Sequence, residues 1–115
     1  MKRAARLRKS RENFKYTLLA RDGRCMICGR YLDERTVNPH HITTKGAGGD
    51  DNLENGISLC HQHHVDTHNG HYSPATLRWI LKLVYGYDWE PGDEGREQAE
   101  QIWRDIHCAT QVPLW

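Results

Sequence analysis

The sequence predicts a small α+β domain: a core of two short strands and a helix, with one helix before it and two after it. Three observations lead there. The chain has 115 residues, 37% of them hydrophobic, with four Trp and five Tyr to build a core from, and this is about the size of one compact domain. Eight residues are His, seven of them between His40 and His71, and Cys25, Cys28 and Cys60 bracket the same segment. Apolar residues recur at helical spacing on both sides of that segment, while only short strand-like runs occur within it. Cysteines and histidines at this density read as metal ligands, so the core is expected to be cross-linked by metal-binding knuckles.

Each element has a local cause. Residues 1–9 (MKRAARLRK) are too charged to pack and are expected to form a basic arm. From Ser10, an N-capping residue, Phe14, Leu18 and Leu19 fall on one helical face, and the turn signal Asp22-Gly23 ends the helix near Arg21. Cys25-Met26-Ile27-Cys28-Gly29 is a tight knuckle. Val37 to Thr43 is a short strand bearing Pro39, His40 and His41, Lys45 to Asn52 is a glycine-rich loop, and Ile57 to Leu59 is the second strand. His61 to about His68 is helical and closes at Asn69-Gly70.

The last third is helical in pattern. Ser73-Pro74 combines an N-cap with proline at the first helical position, and Leu77, Ile80, Leu81 and Val84 follow until Gly86. Tyr87 to Gly95 is a loop, and Glu97 to His107 is a helix with Ala99, Ile102, Trp103 and Ile106 apolar. His107 and Cys108 are read as bystanders at its end. The organisation is therefore a basic arm (1–9), a core (10–72) and a helical extension of the same domain (73–115), whose apolar residues form additional core. Trp115, after Val112-Pro113-Leu114, is expected to pack back or to pair with a second copy.

Composition excludes several classes. No run approaches the roughly 18–20 apolar residues of a spanning helix, and the aromatic content argues against full disorder. The net charge of +1 conceals an asymmetry: residues 1–24 carry +7 and residues 86–115 carry −5. No apolar-cored leader is evident at the polybasic start, so a cytoplasmic, reducing location is expected.

Two ligand sets separate by spacing. Cys25-x2-Cys28 is followed by Cys60-x2-His63, and two such knuckles suit a closed tetrahedral structural Zn²⁺. His61 and His64 compete with His63 for the fourth place. The second set is His40, His64 and His68. His64 and His68 lie at i and i+4 and project from one helix face. His40, from the strand, would complete a three-imidazole site with open positions. His41 points to the other side of a regular strand, although a kink would bring it near the ion as a non-ligand.

These residues, in this order, resemble the HNH endonucleases. The resemblance rests on Arg21-Asp22-Gly23-Arg24-Cys25-Met26-Ile27-Cys28-Gly29, His40-His41-Ile42, Gly48-Gly49, Asn55-x4-Cys60 and His63-His64-x3-His68, and covers residues 20–71. It implies a ββα-metal (His-Me finger) core: two antiparallel strands and a helix gripping one divalent ion. It implies His40, His64 and His68 as ligands of a catalytic Mg²⁺, Mn²⁺ or Ni²⁺, and His41 as general base. It implies Asn55 as the residue that holds the hairpin loop so that His41 is oriented. Many zinc-bearing relatives carry Cys where this chain has His63. The implied reaction is hydrolysis of DNA phosphodiester bonds to 5′-phosphate and 3′-hydroxyl ends.

DNA is the expected partner, with Lys2, Arg3, Arg6, Arg8 and Lys9 of the arm and Lys45 of the loop meeting phosphates without reading sequence. One such site cuts one strand, so double-strand cleavage requires a homodimer or two visits. Small free-standing proteins of this kind are often phage-encoded and work beside a packaging motor, which makes a terminase an expected partner by resemblance. The rival class is a non-catalytic zinc-finger-like nucleic-acid-binding or packaging accessory module, which would need neither His41 nor a second, open metal site.

Overall fold

The computed structural model describes residues 13–88 and 92–108 and shows a small α+β protein with four helices and a two-strand antiparallel sheet. Helix α1 (13–22) buries Phe14 and Leu18, one helical repeat apart, and ends where Gly23 adopts φ 66°. Strand β1 is Asn38–His41 and strand β2 is Gly56–Leu59, with His40 opposite Ile57 and His41 opposite Gly56. Both strand limits differ from the sequence expectation for a physical reason. The Ile42 N–H still bonds the carbonyl of Asn55, its in-register partner (2.8 Å), but the Asn55 side-chain oxygen takes the Thr43 N–H (2.8 Å), so the pairing goes no further. Gly56 joins the ladder opposite His41, and a Cβ there would lie 2.6 Å from the Phe14 ring and 2.8 Å from Leu18. Only glycine lets α1 press on the hairpin at that point.

The two strands are joined by the loop 42–55, which contains short 3₁₀ turns at Lys45–Ala47 and Leu53–Asn55. Helix α2 (His61–His68) follows β2 directly. Helix α3 (Pro74–Tyr85) begins with Ser73 accepting the Thr76 N–H and stops at Gly86 in the left-handed conformation, φ 73°. Helix α4 is Arg96–Ile102 and widens into a π-helical turn over Trp103–Cys108.

One apolar cluster joins these parts: Cys25, Met26, Ile57 and Leu59 from the hairpin and knuckle meet Leu77, Ile80, Leu81 and Ala99 from the extension. The extension is pinned by polar contacts as well. Thr76 donates to Gln98 (2.9 Å), Gln98 to the His71 carbonyl (3.0 Å) and the Trp79 indole to the Gly92 carbonyl (2.7 Å).

The expected regular helix to His107 is therefore corrected, and so is the reading of His107 as a bystander. His107 is 1% exposed, and its Nε2 lies 2.8 Å from the Met26 carbonyl inside the knuckle. Within the π turn Ile106 packs against Gly29 and His107 reaches the Met26 carbonyl. The arm, the Ser10 cap and the segment around Trp115 lie outside the described residues, and no helix among the described residues is long and apolar enough to cross a membrane.

Candidate metal centres and the flanking histidine

The first cluster is built by three elements. The knuckle after α1 supplies Cys25 and Cys28, the end of β2 supplies Cys60, and the first turn of α2 supplies His63; their ligand atoms all lie within 4.8 Å of one another. Cys25 Sγ is 3.8 Å and Cys60 Sγ 3.2 Å from His63 Nδ1, and Cys28 Sγ is 3.9 Å from Cys60 Sγ. A tetrahedral zinc site has edges of roughly 3.8 Å between sulfurs and roughly 3.6 Å between sulfur and nitrogen. The group is thus close enough to hold an ion such as zinc. Without metal, burial pushes the Cys25 thiol up to about 12. At Cys60 burial opposes ionisation too, but hydrogen bonds from the His63 and Gln62 amides and the two other thiols outweigh it and bring the thiol below its usual value. His61 is exposed, and His64 faces the second cluster instead.

That second cluster is His40, His64 and His68, again with nitrogens within 4.8 Å of one another. His64 and His68, one turn apart on α2, bring their Nε2 atoms to 3.2 Å. Imidazoles sharing one ion at ordinary bond lengths stand about 3.0–3.4 Å apart. The His40 ring packs edge-on to both, at 5.4 and 5.6 Å between centroids. His40 is 9% exposed, and burial, followed by the neighbouring imidazoles, lowers its pKa to about 4. His64 is lowered in the same way, by burial first and then by His68 and His61. Neutral imidazole is the ligand form, so His40 and His64 are poised to bind a cation at neutral pH.

His41 turns to the other face of β1, where its ring stacks on Phe14 at 4.2 Å and 10° between planes. Its Nε2 lies 2.6 Å from Asp51 Oδ1. It nevertheless borders, with His40, His64, His68, Pro39 and Thr44, one cavity of about 250 Å³. Asn55 holds the loop that carries Asp51. Its side chain accepts the Thr43 N–H (2.8 Å) and donates to the carbonyls of Thr43 and Asp50, both at 3.0 Å. Gly49 makes that closure sterically feasible, since a Cβ there would fall 1.8 Å from the Thr43 oxygen.

A second clamp comes from the end of α1. Arg21 donates to the Leu53 and Gly56 carbonyls on either side of Asn55 and stacks over Tyr85, 4.7 Å from its centroid. Asp22 accepts from the Ser58 N–H at 3.0 Å and from the Tyr85 hydroxyl.

Asp51, Phe14 and the Arg21–Asp22–Tyr85 network are contributions that the spacing of residues did not show. The one available signal for Asp51 was an acidic pair in a glycine-rich loop. His71 sits 3.8 Å from Asp66 and outside the imidazole cluster. Of the expected phosphate contacts, Lys2, Arg3, Arg6, Arg8 and Lys9 lie outside the described residues, as does the side chain of Lys45. Comparisons with models of protein families, with curated proteins and with solved structures find no match to this chain.

Proposed function

We propose that this chain is a metal-dependent endonuclease of the HNH type, a ββα-metal protein that hydrolyses DNA phosphodiester bonds. One observation carries the reading. A cluster of three imidazoles, two of them held neutral by burial, shares an open cavity with a fourth imidazole that is not part of the cluster and is fixed by a carboxylate. A purely structural ion needs a closed shell, as the Cys25/Cys28/Cys60/His63 set offers, and has no use for a separately positioned base.

His40, His64 and His68 would hold the divalent cation, and a cation there supplies charge stabilisation for the phosphate and the departing 3′ oxygen. Asp51 accepts the Nε2–H of His41 and so fixes the tautomer with the lone pair on Nδ1. In that form His41 takes a proton from water. The water oxygen bonds to phosphorus, the bond from phosphorus to the 3′ oxygen breaks, the 3′ oxyanion takes a proton from solvent water, and the products are a 5′-phosphate and a 3′-hydroxyl. Phe14 keeps the ring from rotating, and Asn55 acts through the loop as a positioning residue. Supercoiled plasmid incubated with the protein and Mg²⁺, Mn²⁺ or Ni²⁺ is expected to be nicked, with EDTA stopping the reaction and metal add-back restoring it. No nicking with any of these ions would overturn the reading in favour of a binding module.

A further inference from the structure

A second cleft, of about 440 Å³, borders the knuckle at Cys60 and is lined by Arg30, Tyr31, Arg35, Asn38 and His61 among others. Its lining takes in Asn38 at the start of β1 and Cys60 and His61 at the start of α2. Asn38 stands two residues before His40 on the same face of β1, about 7 Å away, and His61 stands one turn before His64 on α2. Nucleotides repeat about every 3.4 Å along each strand of a duplex, so the cleft begins about two steps from the cluster.

Tyr31 is 87% exposed, yet its backbone is fixed. It pairs with Arg24 in an isolated β-bridge, and its two neighbours are tied by the bonds from the Cys25 N–H to the Arg30 carbonyl (2.8 Å) and from the Leu32 N–H to the Gly23 carbonyl (3.1 Å). An aromatic ring on a rigid ribbon, with exposed arginines on both sides, has the form of a stacking platform for bases. Two acids stand nearby and both are engaged. Asp33 caps its own turn, accepting the N–H groups of Arg35 (2.8 Å) and Thr36 (3.0 Å), and Glu34 accepts the Tyr16 hydroxyl (3.2 Å).

We propose that this cleft is a subsite for single-stranded or unpaired DNA flanking the cut. Tyr31 stacks on an unpaired base while Arg30 and Arg35 meet the phosphates. The position relative to the cut rests on the nuclease reading; the binding surface does not. The substrate class it implies is DNA with a single-stranded flank rather than continuous duplex.

The test uses the full chain loaded with zinc and carrying His41→Ala, so that DNA stays intact, and reads fluorescence anisotropy with a blunt duplex and with the same duplex bearing a single-stranded extension. The extension should tighten binding. Tyr31→Ala should remove that gain, roughly 5-fold or more, while Tyr31→Phe keeps it. Arg35→Ala should reduce the slope of log affinity against log salt by roughly 0.7 for one lost single-strand contact. Equal affinities of the parent and Tyr31→Ala for the extended duplex overturn the proposal, as does competition by an acidic peptide equal to that by DNA. Plasmid nicking by the wild-type chain is measured in parallel. Nicking without any Tyr31 effect sinks the subsite alone, whereas a Tyr31 effect without nicking leaves the subsite standing and removes the nuclease.

Discussion

His40 and His41 are the same side chain at adjacent positions, and the alternation of a strand gives them different neighbours. His40 meets His64 and His68, while His41 meets Phe14 and Asp51. The carboxylate is the contact with the most to say about chemistry, because it decides which ring nitrogen carries the proton. Asp51→Ala should leave the ring stacked but free to choose its tautomer. The expected result is a loss of turnover on the order of 10-fold or more, with cation affinity at His40/His64/His68 unchanged in a calorimetric titration. Equal losses of rate and cation affinity would instead make Asp51 part of the metal site. At this scale the ligand-type residues were legible, since Cys and His declare themselves by identity and spacing. Asp51 was not, because nothing local ties position 51 to position 41; the loop held by Asn55 does.

Among the elements, the knuckle is the one most dependent on something other than apolar burial. Cys25 is fully buried, and its thiol resists ionisation unless an ion compensates. Cys25→Ser is expected to lose one equivalent of zinc and to lower the melting temperature on the order of 10 °C or more. Metal analysis together with thermal denaturation checks both halves. The π turn after α4 offers a pH test. Burial, aided by Arg24, holds the His107 pKa below the ordinary 6.5 although the Met26 carbonyl and Asp22 pull it up. The unfolded chain therefore takes up a proton at position 107 more readily than the folded one. The stability that neutral His107 contributes is fully present above pH 6.5 and is lost as pH falls from there through the folded pKa. The melting temperature of zinc-loaded wild type should drop more steeply across that window than that of His107→Gln. Parallel curves would mean that His107 does not titrate in the fold. Helix α3 was readable from its Ser73-Pro74 cap and Gly86, and the end of α2 from Asn69-Gly70. The change from α to π at Trp103 was not, because the contact that goes with it, His107 on the Met26 carbonyl, lies far away in the sequence.

At the scale of the whole molecule, charge and core tell different stories. The core is continuous from the knuckle to α4, so the extension supports the hairpin rather than standing apart from it. The charge is divided, +7 in residues 1–24 against −5 in residues 86–115. Deleting residues 1–9 removes five basic side chains and should shrink the salt slope of duplex binding by up to roughly 0.9 per lost contact; an unchanged slope would place the DNA-facing charge elsewhere. The small α+β composition was legible from periodicity and ligand spacing. The long-range tie from Arg21 and Asp22 through Tyr85 to the hairpin was not, since it joins positions more than sixty residues apart. The proposed chemistry turns on a separately positioned imidazole, His41, that activates water beside a cation held by three others. Single-turnover plasmid nicking by His41→Ala, run beside a calorimetric cation titration of the same variant, separates that role from cation binding. Cation affinity should equal that of wild type, turnover should fall by roughly 100-fold or more, and excess metal should not rescue it. Nicking at the wild-type rate by His41→Ala would remove His41 as the base.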